Sequence, residues 1–279
     1  MAEITREDLE RRVKRRENLK DLDLSGLNLD DLPMEGAIFR KCKLTGTSFN
    51  YARMAFARFD NCLMNDCVMQ RCNLQEASIR ECDLSNSDIA DSELTEINMS
   101  QTILNKTNLS GCFLNHSIFI SSDLQLCNFS QSTLQGSNLN GAKMLVCDFT
   151  AVNAKNLTAR DTDFTGSMFE GAHLDDSQMQ KSRFNFCNLS VASFQECDLS
   201  ESQISFSKLD YVNFSSANLN SVMMVKVTGL EANLTGAIMN GAKLQRAELT
   251  QSRFDNAEMN GVDDQEAVFD ESSFEGTSR

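Results

Sequence analysis

The chain contains no tryptophan, a single proline, Pro33, and only two histidines. It has no hydrophobic run approaching the roughly 18 residues of a membrane span. The segment before Lys20 is dense in charge, which excludes the apolar centre of a signal peptide. The lack of tryptophan and the near absence of proline favour a uniform backbone with few irregular loops.

What the chain does contain is a repeat of five residues. From Leu24 to Phe274, every fifth position carries Leu, Phe, Met or Ile, apart from Ala154, Ala159, Gly229 and Asp264. We call this position the centre. A period of five fits neither the 3.6 of a helix nor the 2 of a strand. A short repeat sustained over this length predicts a solenoid.

A second column of small residues lies two positions before each centre. Every residue at this minus-two position is Ala, Ser, Cys, Thr, Val, Leu or Ile, and none is charged. Where the centre shrinks to Ala154 or Gly229, the minus-two residue grows to Val152 or Val227. Such compensation is what a shared, densely packed interior requires. Two side chains in every five are therefore predicted to point inward.

The repeat resembles that of the pentapeptide-repeat family, in stretches such as CDLSN (82–86), SNLNG (137–141) and ANLTG (232–236). The resemblance covers about nine-tenths of the chain. It implies an all-β solenoid, a right-handed quadrilateral β-helix with four pentapeptides per coil and about 13 coils. We expect residues 21–279 to form a single repeat domain and residues 1–20 to form a cap.

The expected cap is a short α-helix from Thr5 to about Arg16. Thr5 and Asp8 have the spacing of a capping box, with Asp in place of the usual Glu. Leu9 and Val13 supply an apolar face for the open end of the first coil. The helix is rich in basic residues, but nearby acidic residues almost balance them, so we interpret it as a solvated cap rather than a nucleic-acid site.

The features that usually indicate chemistry are parts of the repeat. All ten cysteines occupy minus-two positions, so no C-x-x-C motif exists, and we interpret them as small buried residues. His116 and His173 are expected about three coils apart, too far to share a ligand. Gly-rich phosphate loops are absent. We expect no enzyme activity, no metal site and no cofactor.

The formal net charge of −14 raises one alternative function. Some members of the family that the repeat resembles mimic duplex DNA and protect type II topoisomerases such as gyrase. That role needs carboxylates along the whole length. Acidic residues instead concentrate in residues 81–96 and 248–275, and residues 97–160 are neutral to slightly basic. DNA mimicry therefore remains the second candidate.

Large apolar residues in outward-facing positions indicate the first candidate function. In a four-sided coil, Leu126, Val146, Phe186 and Phe206 would align in a ridge interrupted by Gly166. Exposed apolar patches mark sites for protein partners. We predict a non-enzymatic interaction scaffold, a rigid rod that binds a protein. The predicted partner-binding residues are Phe113, Ile118, Ile120, Leu126, Val146, Phe186, Phe206 and Tyr211.

The opening of the chain, residues 4–39, is also similar to pentapeptide proteins associated with bacterial type VI secretion, where an adaptor role is implied. The partner is a protein of unknown identity, and we expect no direct binding to nucleic acid. Residues after Phe274 leave no room for a C-terminal dimerisation helix, and the oligomeric state is open. We expect a cytoplasmic protein, with export by a non-classical secretion system as the alternative.

Overall fold

The computed structural model describes residues 4–279. They fall into two compact units, Met1–Asn138 (unit 1) and Leu139–Arg279 (unit 2). In both, the residue before a centre pairs in parallel with the residue twenty positions later, as Asp23 pairs with Lys43. Four repeats therefore make one turn. The predicted all-β solenoid is confirmed, with about 12 turns instead of 13. One repeat domain over residues 21–279 stays a prediction.

The N-terminal helix, α1, spans Arg6–Lys14 and is the only helix in the described residues. Its capping box is formed as predicted: the Asp8 amide donates to the Thr5 hydroxyl, and the Thr5 amide donates to the Asp8 carboxylate. Leu9 is fully buried. Arg6 donates to the carbonyl oxygens of Asn28 and Asp30, which ties the helix to the repeats of unit 1.

Nowhere in residues 4–279 is there a helix that is both long enough and apolar enough to cross a bilayer.

The extended strands are short. In unit 1, β1 (Asn18–Lys20), β2 (Ile38–Arg40), β3 (Arg58–Asp60) and β4 (Ser78–Arg80) form a parallel sheet in chain order. In unit 2, β5 (Thr228–Leu230) pairs with β6 (Glu248–Thr250). The sheet begins before Leu24, the first centre identified in the sequence. Leu19, five residues earlier, already occupies a buried centre position in β1. The residue two positions before Leu19 is the charged Glu17, which does not fit the minus-two pattern, so the sequence pattern did not identify this first repeat.

Each repeat ends in a bend at the second residue after the centre, which we call the corner. The corner backbone is left-handed whether the residue is glycine, as at Gly46 (φ 66°), or not, as at Asp66 (φ 58°). At most corners the next minus-two amide donates to the carbonyl of the centre, as Thr47 donates to Leu44 at 3.0 Å. This hydrogen bond and the positive φ together make a type II turn.

The two inward columns form the core of each unit, with the centres from Leu24 to Met259 and most minus-two residues buried. Buried hydroxyl and thiol groups at minus-two also form hydrogen bonds. The side chains of Ser87 and Thr102 donate to the carbonyls of Met64 and Ile79 on the preceding turn, at 2.9 and 2.8 Å. Small size alone therefore does not explain this column, because buried polar groups need partners.

Candidate interaction surface

One line of corners in unit 2 carries most of the predicted ridge. We call it the Phe186 column; it comprises Val146, Gly166, Phe186, Phe206, Lys226 and Arg246 on successive turns. The side chains of Phe186 and Phe206 are 62% and 47% exposed, and that of Val146 is 56% exposed. Because every corner points away from the core, these large apolar groups cannot be buried by the fold of the unit itself.

The backbone conformation of these corners is unfavourable in free energy for large apolar residues. The φ angles are 58° at Val146, 60° at Phe186 and 61° at Phe206. Only glycine, asparagine and aspartate adopt such angles readily, and for β-branched or bulky residues they are uncommon. Strain of this kind costs on the order of 1–3 kcal/mol per residue and often accompanies function. Neither packing nor turn formation accounts for valine and phenylalanine at these corners.

The side chains of the Phe186 column contact one another along the line. The Phe186 and Phe206 rings stack with centroids 5.0 Å apart and planes within 8°. The ammonium of Lys226 lies 5.5 Å from the centroid of the Phe206 ring. Gly166 leaves space for its neighbour, since a Cβ there would lie 3.3 Å from Val146 Cγ2. The column is therefore an ordered apolar surface with a basic end.

A second apolar line lies at the next corner of the same turns. Val191 follows Phe186 by one repeat, and Tyr211 follows Phe206 in the same way. Val191 and Tyr211 are 57% and 50% exposed. The side of the solenoid between the two corner lines carries Lys208, whose ammonium lies 2.9 Å from the Asp210 carboxylate. That hydrogen bond raises the pKa of Lys208.

The preceding side of the same turns holds a second ion pair, Arg183 with Asp163 at 2.9 Å. Desolvation alone would raise the pKa of Asp163, but hydrogen bonds from Arg183 and Thr165 outweigh it, and the pKa is lowered. Within residues 4–279, no carboxylate pairs with the ammonium of Lys226 or Lys243. The unpaired ammonium of Lys226 therefore lies beside the exposed ring of Phe206, and Lys243 lies on the turn after Lys226.

The other predicted site residues belong to unit 1, and the structure does not bring them together on one surface. Phe113 and Leu126 are about half exposed, Ile120 is less so, and Ile118 is half-buried. Ile118 pairs through its backbone with Asn98 and Asn138, and less of its side chain is exposed than that of Phe113. Phe113, Ile118 and Leu126 lie on different sides of the coil.

Sequence reasoning missed two exposed aromatic side chains in unit 1, Tyr51 and Phe56. Both occupy corners, with φ of 58° and 61°, and both are more than half exposed. Arg71 donates to the Tyr51 hydroxyl at 3.0 Å and lies over its ring. The corner rule that singled out Phe186 would also have found these two residues.

Many acidic side chains form hydrogen bonds within the repeat itself. Asp198, one residue before a centre, accepts from the backbone amide of Ser200 at 3.0 Å and from the side chains of Gln180 and Asn218. Asp83 accepts in the same way from the amide of Ser85. These amides have no partner in the parallel ladder, so the carboxylates stabilise the turns.

The ten cysteines are free thiols and all are buried. Desolvation raises the pKa of Cys67, Cys112 and Cys187 to about 12. Thiols with so little thiolate are poor nucleophiles and poor metal ligands. Within the described residues, no group of three His, Cys, Asp or Glu side chains is placed to hold a metal.

One serine, histidine and aspartate lie close together in unit 2, but their contacts are structural. Ser193 pairs with His173 through the backbone, while its hydroxyl donates to the Asp175 carboxylate. Asp175 also pairs with Lys155 at 3.0 Å. A nucleophilic serine would instead donate its proton to the imidazole. This arrangement therefore gives no support for hydrolytic activity.

Solved structures of low sequence identity are similar to this chain. HetL, a pentapeptide repeat protein involved in heterocyst differentiation regulation from the cyanobacterium Nostoc sp. strain PCC 7120, is 20% identical; the alignment covers 75% of this chain and 89% of HetL, with a TM-score of 0.34. Trypsin-treated QnrB1, a plasmid-mediated fluoroquinolone resistance protein, is 17% identical over 69% of this chain and 91% of QnrB1, with a TM-score of 0.49.

A third structure, a mannuronic acid-specific polysaccharide family 6 lyase from human gut microbiota, is 7% identical over 91% of this chain and 81% of the lyase, with a TM-score of 0.50. At this identity the likeness concerns the solenoid fold alone. No curated protein sequence matches the chain.

Family models match most of the chain. The model described as pentapeptide repeat region matches residues 32–109 and 177–254. The model described as pentapeptide repeats (8 copies) matches residues 119–144, 127–166 and 147–185. These matches include residues of both units. The chain therefore belongs to the pentapeptide-repeat family.

Proposed function

We propose that this protein is a non-enzymatic interaction scaffold that binds a protein partner through the Phe186 column. The observation that carries the proposal is the stacked, exposed pair Phe186 and Phe206, held in left-handed corners. Val146 and Tyr211 extend the same surface. Membership of the pentapeptide-repeat family, whose members are generally structural or interaction proteins, supports a binding role over catalysis.

Burial of these side chains would supply substantial binding energy. Covering an exposed phenylalanine contributes about 1.5–3 kcal/mol, so two stacked rings suffice for the centre of an interface. The rings are ordered by each other before any partner arrives, which reduces the entropy lost on binding. Phe113, Ile118, Ile120 and Leu126 of unit 1 stay predicted partner contacts of that unit by itself.

The test is co-purification of the full chain from its native host after mild cross-linking. Phe186→Ser combined with Phe206→Ser is expected to abolish capture of the partner without loss of folded protein. The matched control is Phe56→Ser, which removes an equally exposed corner phenylalanine from unit 1. Undiminished capture by the double variant contradicts the proposal.

The competing function, regulation of a type II topoisomerase by DNA mimicry, draws its support from the net charge of −14. Against it, the Phe186 column carries no acidic residue from Val146 to Arg246, and residues such as Asp198 are engaged in turns. Purified protein added to a gyrase supercoiling assay separates the two functions. A concentration-dependent change in supercoiling that persists in the double phenylalanine variant would favour mimicry.

An adaptor role in type VI secretion is the narrower form of the scaffold proposal. It rests on the likeness of residues 4–39 to proteins associated with that system. The identity of the captured partner tests the adaptor role. Capture of a component or effector of the secretion apparatus supports it. Capture of an unrelated protein through the Phe186 column would retain the scaffold and remove the secretion link.

A further inference from the structure

The Phe186 column changes character along its length. Three of its first four corners are large and apolar, Val146, Phe186 and Phe206, with Gly166 between them; the next two are basic, Lys226 and Arg246. Arg246 pairs with Glu266 at 2.7 Å, whereas Lys226 contacts the Phe206 ring and pairs with no carboxylate of residues 4–279. Lys226 is therefore an unpaired base at the end of the apolar line, on a chain with a net charge of −14.

A second unpaired base lies beside this end. Lys243 pairs through its backbone with Met223, a partly exposed side chain on the preceding turn. Lys226 borders the apolar surface where Phe206 ends it, and Lys243 lies one turn further on, between Met223 and Asp263. A partner that covers Phe206 would desolvate the ammonium of Lys226, which is costly unless the partner supplies a carboxylate.

The spacing of the column fits an α-helix. Parallel turns repeat about every 4.8 Å, and the Phe186 and Phe206 centroids are 5.0 Å apart. An α-helix presents one face every 5.4 Å, at positions i, i+3 or i+4, and i+7. A helix aligned with the column therefore places about one side chain opposite each corner. An extended strand repeats on one face only every ~6.6 Å, a poorer match.

We propose, resting on the scaffold function above, that the partner segment is an amphipathic α-helix with an apolar half and an acidic half on one face. Its apolar half covers Val146, Phe186 and Phe206. Its carboxylates meet Lys226 and Lys243 at the basic end. The six corners of the column correspond to about five helical turns, or roughly 18 residues.

An anionic membrane is the other surface that combines apolar and negative groups. The overall charge of −14 disfavours it, because a broad lipid surface repels every acidic side of the chain that approaches it. A single helix covers a narrow strip and feels mainly the charges within the Debye length of about 8 Å, which beside Phe206 include the ammonium of Lys226.

The test uses fluorescence anisotropy with three labelled 18-residue helical peptides and the full chain. The first peptide carries Leu on three successive turns of one face and Glu on the next two. The second replaces Glu with Lys, and the third replaces it with Gln. We expect the Glu peptide to bind about tenfold more tightly than the Lys peptide, with the Gln peptide between them.

Charge reversal on the protein gives the matched measurement. Lys226→Glu is expected to weaken the Glu peptide about tenfold and to strengthen the Lys peptide. The control is Arg253→Glu, the same change of charge on a different side of unit 2, which should leave all three affinities unchanged. Both residues are exposed, so neither substitution is expected to affect folding.

Three outcomes overturn the inference. Equal affinities for the Glu and Lys peptides would contradict the proposed acidic half of the partner. If no peptide binds, the proposal of a helical partner is wrong. Binding of the full chain to phosphatidylserine vesicles that is lost with Lys226→Glu, without peptide binding, assigns the surface to lipid. If the Glu and Lys peptides bind equally and the variant with both Phe186→Ser and Phe206→Ser binds neither, the scaffold function is retained. Peptide binding that is unchanged by the two serine substitutions contradicts the scaffold function as well.

Discussion

The rings of Phe186 and Phe206 lie nearly parallel, 5.0 Å apart, on neighbouring turns of unit 2. Offset aromatic pairs contribute about 0.5–1.5 kcal/mol beyond the area they bury. A double-mutant cycle with Phe186→Ser and Phe206→Ser, followed by urea unfolding, should give a coupling energy of about 1 kcal/mol. Additive effects of the two substitutions would mean that the rings do not order each other in solution.

Val191 occupies a left-handed corner with φ of 60° and is 57% exposed. Val191→Asn should raise the free energy of unfolding by about 1 kcal/mol, because asparagine tolerates this backbone and valine does not. The control is Val225→Asn, half-buried and not at a corner, which should not stabilise the protein. Equal effects of the two substitutions in denaturant titrations would contradict the strain argument.

Ser202 tests the hydrogen bonds of the minus-two column. Its buried hydroxyl donates to the Met179 carbonyl at 2.9 Å and accepts from the Ser182 amide at 3.2 Å. Ser202→Ala should lower the free energy of unfolding by about 1 kcal/mol, and Ser202→Cys by less, since thiols fill this role elsewhere. Ser200→Ala, on the surface, is the control. Identical losses for Ala and Cys would mean that only size matters.

The buried thiols should be unreactive in the folded protein. With the pKa of Cys67 and Cys187 raised to about 12 by desolvation, about one thiol in 10⁴ is ionised near pH 8. Ellman's reagent should therefore label the native protein only over hours and all ten cysteines at once in guanidinium. A rapidly labelled native thiol would reveal a local opening of the coil.

Asp163 should make stability depend on acid pH. Its pKa is lowered below the usual 3.8, since hydrogen bonds from Arg183 and Thr165 outweigh desolvation. Its contribution is therefore complete above the unfolded-state pKa and is lost as pH falls through the folded-state pKa. Asp163→Asn should destabilise the protein near neutral pH, and the difference from wild type should vanish below that folded-state pKa.

Arg183→Gln is the companion measurement for Asp163. It removes the guanidinium that donates to the carboxylate at 2.9 Å, so the acid-dependent part of the unfolding free energy should shrink. A pH profile identical to that of the wild type would show that Arg183 does not stabilise the ionised carboxylate.

The core could be predicted almost completely from the sequence. Leu84 and Phe119 are buried because the repeat puts a large residue at every fifth position, and Cys82 and Ser117 are buried because the neighbouring column is small. The capping box of Thr5 and Asp8 was equally readable. These features are local or periodic, so the sequence carries them without knowledge of distant contacts.

The candidate surface was only partly predictable. The corner phase identified Phe186 and Phe206, but the ion pairs of Arg183 and Lys208, and the lack of one at Lys226, depend on side chains from neighbouring turns. Side-chain contacts between turns depend on rotamers and on what lies twenty residues away, which a five-residue pattern does not encode.

The sequence by itself determined the repeat, the two inward columns and the solenoid, because burying one large and one small side chain in every five residues leaves few other packings. Only the tertiary structure decided that minus-two hydroxyls bond to the preceding turn. It also decided that residues such as Asp198 stabilise turns, and that an apolar line ends at the unpaired ammonium of Lys226. Those relationships join residues about twenty positions apart, and they exist only once the turns are stacked.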